Sequence, residues 1–526
     1  MKVMKQLTVL MLLSLCSGFV GIYAQPYFRT YVPNEYVKEN VFLTMEPNTS
    51  IPPTFEAVKS KLPEPYWSAH PEVIQSYWRI WELELSYAHQ VTKENGFVSP
   101  YVEPPFSGDI FMWDACFVAL ATPYGYNAFS FTKSLDNFYC KQHVDGFICR
   151  QISMTTGNDL FEKFDPSSTG PNLMPWSEWE LFVNFNDTVR LANVFPVLLA
   201  YYQWYRTNRT WQDGSYFSSG WGSGMDNQPR LPEGKEFDPR FSTGYMSWID
   251  ITLQQIFVGK IMIQMADVLG RQKDVKSIVD EINMLTEYVQ KNMWDEKTAF
   301  FYDRHRDGKL NYVQSIAAYW SLLAEVISPE KAERLIQHLE NPDKFARKHR
   351  VPTLSADDPG YDPYGYWCGP IWAPTNYMVL KGLTKYKKDS LAHEIALNNV
   401  INVAKVYEQT GTFWENYCPE TIRGIAMKDF VDWNSLLVNN LYEYIFGFRP
   451  DVQNNTLIID VRLTDEYGVK KYPFGKAGLL DIDCKKRKKI TDKPSLTINS
   501  NVPLTVVMKW ENGEITKKIN PGKVKI

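Results

Sequence analysis

The sequence predicts a mainly α fold, an α/α toroid followed by a small C-terminal antiparallel β-domain. Three observations predict it. Amphipathic segments with apolar residues three or four apart recur from about residue 71 to 446. Their connections alternate between short and long, as expected of outer and inner helices wound in pairs. After Phe448-Arg449-Pro450 the pattern changes to short β-type runs divided by Asn, Gly and Pro.

Residues 1–24 read as an export signal. Lys2 and Lys5 supply the positive start, Leu7 to Leu15 the apolar stretch, and Tyr23-Ala24-Gln25 the cleavage point. Cys16 follows Leu13-Ser14-Leu15, whereas a lipoprotein signal wants a small residue just before its Cys, so a lipid anchor is the less favoured reading. Export across an inner membrane into the periplasm is expected. No later apolar run is long enough to span a bilayer.

Residues 25–70 form a Pro-rich extended arm with Pro33, Pro47, Pro52, Pro53, Pro63 and Pro65. The toroid is expected over 71–450 and the β-domain over 451–526. Its first helix places Ile74, Trp78, Trp81, Leu85 and Ala88 on one face and stops before Gly96. Further helices are expected at about 113–121, 128–143, 178–206, 244–269, 272–292, 312–326, 329–340, 372–386, 389–409 and 432–446. Segment 244–269 is apolar nearly all round (Ile249, Ile251, Leu253, Ile256, Phe257, Val258, Ile261, Met262), as an inner helix should be.

The connections 145–177, 207–243 and 341–371 are long and rich in Gly, Pro and aromatics. Loops of that length in a compact domain are usually functional, and here they would wall a pocket at one end of the toroid. In the β-domain, strands are expected at 456–461, 479–482, 495–498 and 504–508. Glu511-Asn512-Gly513-Glu514 is a hairpin turn.

The net charge of −4 and the lack of a basic tract with interleaved aromatics argue against a nucleic-acid partner. Beyond Cys16, the cysteines are Cys116, Cys140, Cys149, Cys368, Cys418 and Cys484. None forms a CxxC or a Cys/His cluster, so no metal site and no cofactor is expected. Cys140 and Cys149 could pair across a turn. Aromatic residues make up 15% of the chain, which suits either a large core or a saccharide pocket, where Trp and Tyr stack on sugar C–H faces.

Four aromatic clusters mark the ends of helices: Phe111-Met112-Trp113-Asp114, Trp221-Gly222-Ser223-Gly224-Met225-Asp226-Asn227, Tyr364 to Tyr377, and Phe413-Trp414-Glu415-Asn416-Tyr417. Asp226 sits in a Gly-rich loop whose backbone can turn sharply and project a side chain into a cavity. Glu415 lies between Trp414 and Tyr417, and aromatic neighbours desolvate a carboxylate and raise its pKa. Asp213 and Asp238 compete with Asp226 as an acid, and Glu408, Glu420 and Asp432 with Glu415 as a base. A purely structural role for Glu415 would pair it with Arg423.

The runs SGMDNQPR, YWCGPIWAPTNY and FWENY, in that order, resemble the inverting α-glycosidases built on (α/α)6 barrels. Within that clan they are most like glycoside hydrolase family 63, with trehalases as more distant relatives. The resemblance spans about residues 72–450. It implies an (α/α)6 toroid, no cofactor, and a small glycoside or oligosaccharide with an α-linked gluco- or manno-configured bond as substrate.

By the match to the family's motifs, Asp226 would be the general acid and Glu415 the general base. Trp113 and Asp114 match the family's early WD motif, and Arg150, Gln151, Trp176 and Glu178 fall where relatives place sugar contacts. Trp221, Asn227, Tyr366, Trp367, Trp372, Asn376, Trp414 and Tyr417, within the same motifs, are candidate substrate contacts. Inversion requires two carboxyl groups far enough apart to admit a water, one protonated and one ionised.

The chain departs from the family at Cys368, where Arg is common, which bears on the sugar bound more than on the reaction. Its arm is also too short to be the large N-terminal β-domain of many relatives. Two other classes compete: a sugar epimerase or lyase on the same toroid, and a non-catalytic glycan-binding protein. Epimerases of that shape use pocket His pairs, whereas the seven His here fall mostly on helix faces.

Overall fold

The structure, a computed structural model, describes residues 32–103 and 107–526. The export signal proposed for residues 1–24, with Cys16, lies outside the described residues. Nine helices of ten residues or more stand among the described residues. They are α1 (Pro71–Ser86), α2 (Met112–Ala121), α3 (Met174–Phe185), α4 (Thr188–Asn208), α5 (Ile249–Leu269), α6 (Lys276–Asn292), α7 (Pro329–Glu340), α8 (Ala373–Lys385) and α9 (Asp389–Thr410).

Helices neighbouring in sequence pack on one another: α2 on α3, α3 on α4 and α5, α5 on α6, and α8 on α9. The last of them, α9, packs back on α1. Every described side chain of α2 is buried, and α5 is buried on nearly all faces from Ile249 to Met262. By contrast α6 and α7 bury a single stripe (Ile278, Ile282, Leu285 and Val289 in α6) and leave the rest to solvent, as outer helices do.

Several expected elements differ. The segment 178–206 is two helices, because Asn186 adopts a left-handed conformation (φ 52°) and the Asp187 side chain accepts from Arg190 N to start α4. The first of the two begins early, at Met174. The segments at 128–143, 312–326 and 432–446 are not long helices. They are short 3₁₀, α and π pieces, such as Phe131–Leu135, Trp320–Leu323 and Asn440–Ile445. Each is buried at almost every position, so tertiary packing rather than helical periodicity decides its path.

The arm is not extended throughout. It forms 3₁₀ turns at Glu35–Glu39 and Val41–Thr44, and Glu64–Trp67 joins the sheet of the C-terminal part by pairing with Tyr467–Phe474. That sheet has five strands. A second, of four, runs Phe448–Asp451, Thr456–Asp460, Leu504–Trp510, Gly513–Ile519.

The β part is not wholly antiparallel: Thr456–Asp460 and Leu504–Trp510 are parallel. The chain crosses to the five-stranded sheet between these two strands and returns in the same direction. The Glu511-Asn512 turn joins Leu504–Trp510 to Gly513–Ile519 with Trp510 opposite Gly513. Cys140 and Cys149 do not pair, and every described cysteine is a free thiol. No helix among the described residues is long and apolar enough to cross a membrane.

One buried ion network locks the long 207–243 connection to the helices. Arg230, 1% exposed at its side chain, donates two hydrogen bonds to Asp250 in the first turn of α5 (2.7 and 2.8 Å) and two to Asp303 (2.8 and 2.7 Å). Its guanidinium lies 4.4 Å from the Trp248 ring centroid. Removing one partner of such a network strands buried charge, at a cost of about 3–5 kcal/mol. Arg230→Met should therefore lower the unfolding free energy by that order, seen as a lower urea midpoint, and loosen the loop. Unchanged stability in equilibrium urea unfolding would contradict this.

Candidate active site

A cavity of about 280 Å³ opens among the long connections. Its wall is formed by Phe111, Trp113, Gly170, Pro171, Trp221, Tyr366, Trp367, Trp372 and Trp433. Asp114, Arg150, Gln151, Asp226 and Glu415 supply its polar groups. Trp367 and Trp372 stack with ring centroids 3.6 Å apart, and Trp433 packs on Trp372 at 5.4 Å. Apolar rings surrounding a few convergent polar groups are the usual make-up of a small-molecule site.

Asp226 is positioned by a short turn of helix, Gly220–Ser223, which the Ser219 side chain caps by accepting from Gly222 N. Two glycines here have steric reasons. Gly224 has φ 78° and faces Trp113, whose ring a Cβ would meet at 3.3 Å. A Cβ on Gly220 would come within 2.5 Å of the Asp226 carbonyl oxygen. Asn227, next along, does not line the cavity. It braces the loop, donating to Gly365 O (2.9 Å) and accepting from Trp367 N (2.9 Å).

Glu415 lies on the strand Trp414–Tyr417, which pairs with Gly424–Lys428. The register slips between Trp414 and Asn416, so Glu415 stands at a bulge, a device that re-aims a side chain. Its Oε1 accepts from the Tyr366 hydroxyl (2.6 Å), its Oε2 from Met427 N (3.3 Å), and its carbonyl from Trp433 Nε1 (2.9 Å). Tyr366 reaches it from a left-handed backbone (φ 64°), an unusual conformation for a bulky residue, which clusters at functional sites.

The two carboxyls feel different surroundings. Burial pushes Asp226 up to about 6, opposed by the Arg150 guanidinium and helped by Glu415. Burial raises Glu415 too, but both of its hydrogen-bond donors favour the charged form. Arg150 is held by its Nε, which donates to Ser167 O at 2.7 Å, and Gln151 by donating to Asp109 at 2.9 Å.

Behind the cavity, Glu103, Asp114 and Asp432 bring carboxylate oxygens within 4.8 Å of one another, the one grouping among the described residues with donors able to hold a cation. Burial, and then like charge nearby, pushes all three well above the carboxylate range, so protonation also neutralises the cluster.

Several sequence candidates lie elsewhere. Trp176 is in the core, stacked 5.8 Å from Tyr377, and Glu178 is bound by Arg190 at 2.6 Å. Asn376 donates to Val351 O, and Tyr417 donates to Asn434. Trp414 turns outward to a surface groove beside Tyr364 and Arg423. These residues hold the cavity's neighbours, because alternation along a strand and rotation about a helix send adjacent residues to different faces.

Arg423 stacks on Tyr364 (5.1 Å) and makes no ion pair with Glu415. Asp213 pairs with Arg306, Asp238 with Arg240, and Glu420 with Arg347, and none of them lines the cavity. Glu408 is also outside it. Cys368 is half-buried against Asn227 O rather than in the cavity, and burial pushes its thiol up to about 11. Sequence reasoning missed Phe111, Gly170, Pro171, Gly224 and Trp433 as lining residues. Trp433 had a signal, one more Trp just after the fourth cluster.

Residues 110–431 match the family described as mannosylglycerate hydrolase MGH1-like glycoside hydrolase domain. The chain is 25% identical over 395 residues to an uncharacterized protein of Borreliella burgdorferi, covering 71% of this chain and 79% of that one. It is 27% identical over 290 residues to a probable mannosyl-oligosaccharide glucosidase of Schizosaccharomyces pombe, covering 48% of this chain. The match spans only about a third (34%) of that relative's length.

Among solved structures it is similar to the GH63 mannosylglycerate hydrolase of Thermus thermophilus in complex with glucose. The TM-score is 0.57 at 20% identity, over 68% of this chain and 98% of that one. The chain therefore belongs to glycoside hydrolase family 63, with a mannosylglycerate hydrolase MGH1-like glycoside hydrolase domain.

Proposed function

We propose that this protein is an inverting glycoside hydrolase acting on α-linked gluco- or manno-configured bonds. Asp226 is the general acid and Glu415 the general base. The observation that supports this best is one aromatic cavity with two carboxyls in opposed environments. Burial raises Asp226 to about 6, which keeps its proton on the acid side of neutrality, and Glu415, also raised by burial, has two donors that favour its charged form. Asp226 protonates the glycosidic oxygen as the bond breaks. Glu415 takes a proton from a water that attacks the anomeric carbon from the opposite face.

Trp113, Trp221, Trp367 and Trp372 would cover the sugar's apolar faces, while Asp114, Arg150 and Gln151 would bind its hydroxyls. Tyr366 is a positioning residue for Glu415. The helix pairs and the return of α9 onto α1 support an (α/α)6 toroid over 71–450, followed by a β-domain over 451–526. Residues 1–24 support export to a periplasm. None of the seven histidines lines the cavity, which disfavours the epimerase reading.

The mechanism is tested by following the first-released anomer by NMR during hydrolysis of α-glucosides and α-mannosides. The β-anomer is expected. Release of the α-anomer would refute inversion.

A further inference from the structure

A second cavity, of about 260 Å³, lies on the far side of the aromatic core from the catalytic one and shares no lining residue with it. Helices α3, α5 and α8 wall it, together with Arg449 and Pro450 from the first strand of the four-stranded sheet. Trp176, the sugar-contact candidate that the structure draws out of the catalytic cavity, forms part of its wall. Between the two cavities lies a chain of rings. Trp113 packs on Phe117 at 4.9 Å, and Phe117 on Trp176 at 6.2 Å.

The chemistry of this wall is specific. Trp176, Trp179, Phe257 and Tyr444 present apolar surface. Lys381 is held between Glu180 (2.9 Å) and Glu443 (3.7 Å), and of the other cations in the wall Lys385 pairs with Glu325 (3.2 Å) and Arg449 with Asp389 (2.6 Å), so each charge there already has a partner. Glu443 is already engaged by Tyr377 (3.0 Å). The wall also carries the exposed Gln264 amide and the half-buried Trp179 and Asn184, whose polar groups can meet solvent or a ligand. Open donors and acceptors interleaved with aromatic faces, around balanced charge, suit a neutral ligand rich in hydroxyls. Because the charged groups of the wall are paired, neither an anion nor a cation meets an uncompensated partner there.

We propose that this cavity is a second, non-catalytic binding site for a monosaccharide-sized polyhydroxyl ligand. It has almost the volume of the catalytic cavity, and its recognition groups need no part of the catalytic machinery. The proposal goes beyond the hydrolase reading, and its test reads binding by location rather than turnover.

The probes are glucose and mannose bearing a diazirine, cross-linked to the full-length protein by light, with labelled peptides mapped by mass spectrometry. Labelling is expected in the peptides containing Trp179 and Gln264, separately from any in the catalytic peptides, and excess free sugar should compete it. Gln264→Trp fills the mouth from an exposed position. It should weaken this labelling at least about tenfold, equivalent to about 1.4 kcal/mol, and leave hydrolysis at its wild-type rate. Trp179→Ala, which removes an aromatic face instead, should give the same loss. The proposal is overturned if labelling is confined to the catalytic peptides. It also fails if free sugar does not compete the distal labelling, or if both variants leave that labelling unchanged.

Discussion

Asp226→Asn should lower hydrolysis of α-glycosides with alkoxide leaving groups by about 10²–10⁴-fold, the usual contribution of a general acid. The loss should shrink sharply with α-glycosyl fluorides, whose leaving group departs with little protonation. That contrast separates an acid from a residue that merely shapes the pocket. Equal losses on both substrate types would remove Asp226 from the role.

The same substitution has a stability consequence of opposite sign. The folded Asp226 carboxyl, raised by burial to about 6, binds its proton more tightly than the unfolded one. The stabilisation is complete below the unfolded value and is lost as pH rises through about 6, so at pH 7 the ionised group costs about 3 kcal/mol. Asn cannot ionise. The variant should melt higher than the wild type at pH 7, with the advantage fading towards pH 4. A lower melting point at pH 7 would contradict the buried-acid assignment.

Glu415→Gln should reduce hydrolysis by a similar factor of about 10²–10⁴, but on glycosides and glycosyl fluorides alike. Water must be deprotonated whatever leaves, so a good leaving group gives no relief. A small anion such as azide, which needs no base, should restore turnover in this variant and release the β-glycosyl azide. No rescue together with an α-configured product would point to a different base.

The pH profile of kcat/KM should be a narrow bell. Activity falls as pH rises past the value at which Asp226 ionises, and falls as pH drops through the raised value at which Glu415 protonates. Asp226→Asn should remove the alkaline limb and Glu415→Gln the acid limb. Tyr366→Phe withdraws a hydrogen bond to the ionised base, so it should shift the acid limb towards higher pH and leave the alkaline limb in place.

The local chemistry of the Asp226 loop is legible in the sequence. Glycines at 220 and 224 announce a sharp turn, and the structure supplies the reason for each in a carbonyl oxygen and an indole ring. The order of the aromatic clusters brings Trp113, Asp226, Trp367 and Glu415 to attention together, and all four line one cavity. Long periodic helices such as α5 and α9 are also legible, because the burial of one face or of all faces leaves its spacing in the chain. Where almost every residue is buried, as at 432–446, periodicity has little to contrast with, and short 3₁₀ and π pieces pass unnoticed.

What the sequence by itself determined is the helical class and the turn at Asp226, since both follow from residue type and local spacing; Asp226 and Glu415 are singled out among rival carboxylates by the resemblance to family 63. Only the tertiary structure decided which neighbours face the cavity. Trp414 and Glu415 are adjacent, yet one lines an outer groove and the other the cavity, because side chains alternate along a strand and the pairing with Gly424–Lys428 sets which face meets the cavity. The pKa of Asp226 is equally non-local, set by burial, Arg150 and Glu415. The bond between Arg230 and Asp303 joins residues 73 apart in the chain, and no local pattern records it. Side-chain direction and electrostatic environment come from contacts made across the fold, and these exist only once the chain has closed on itself.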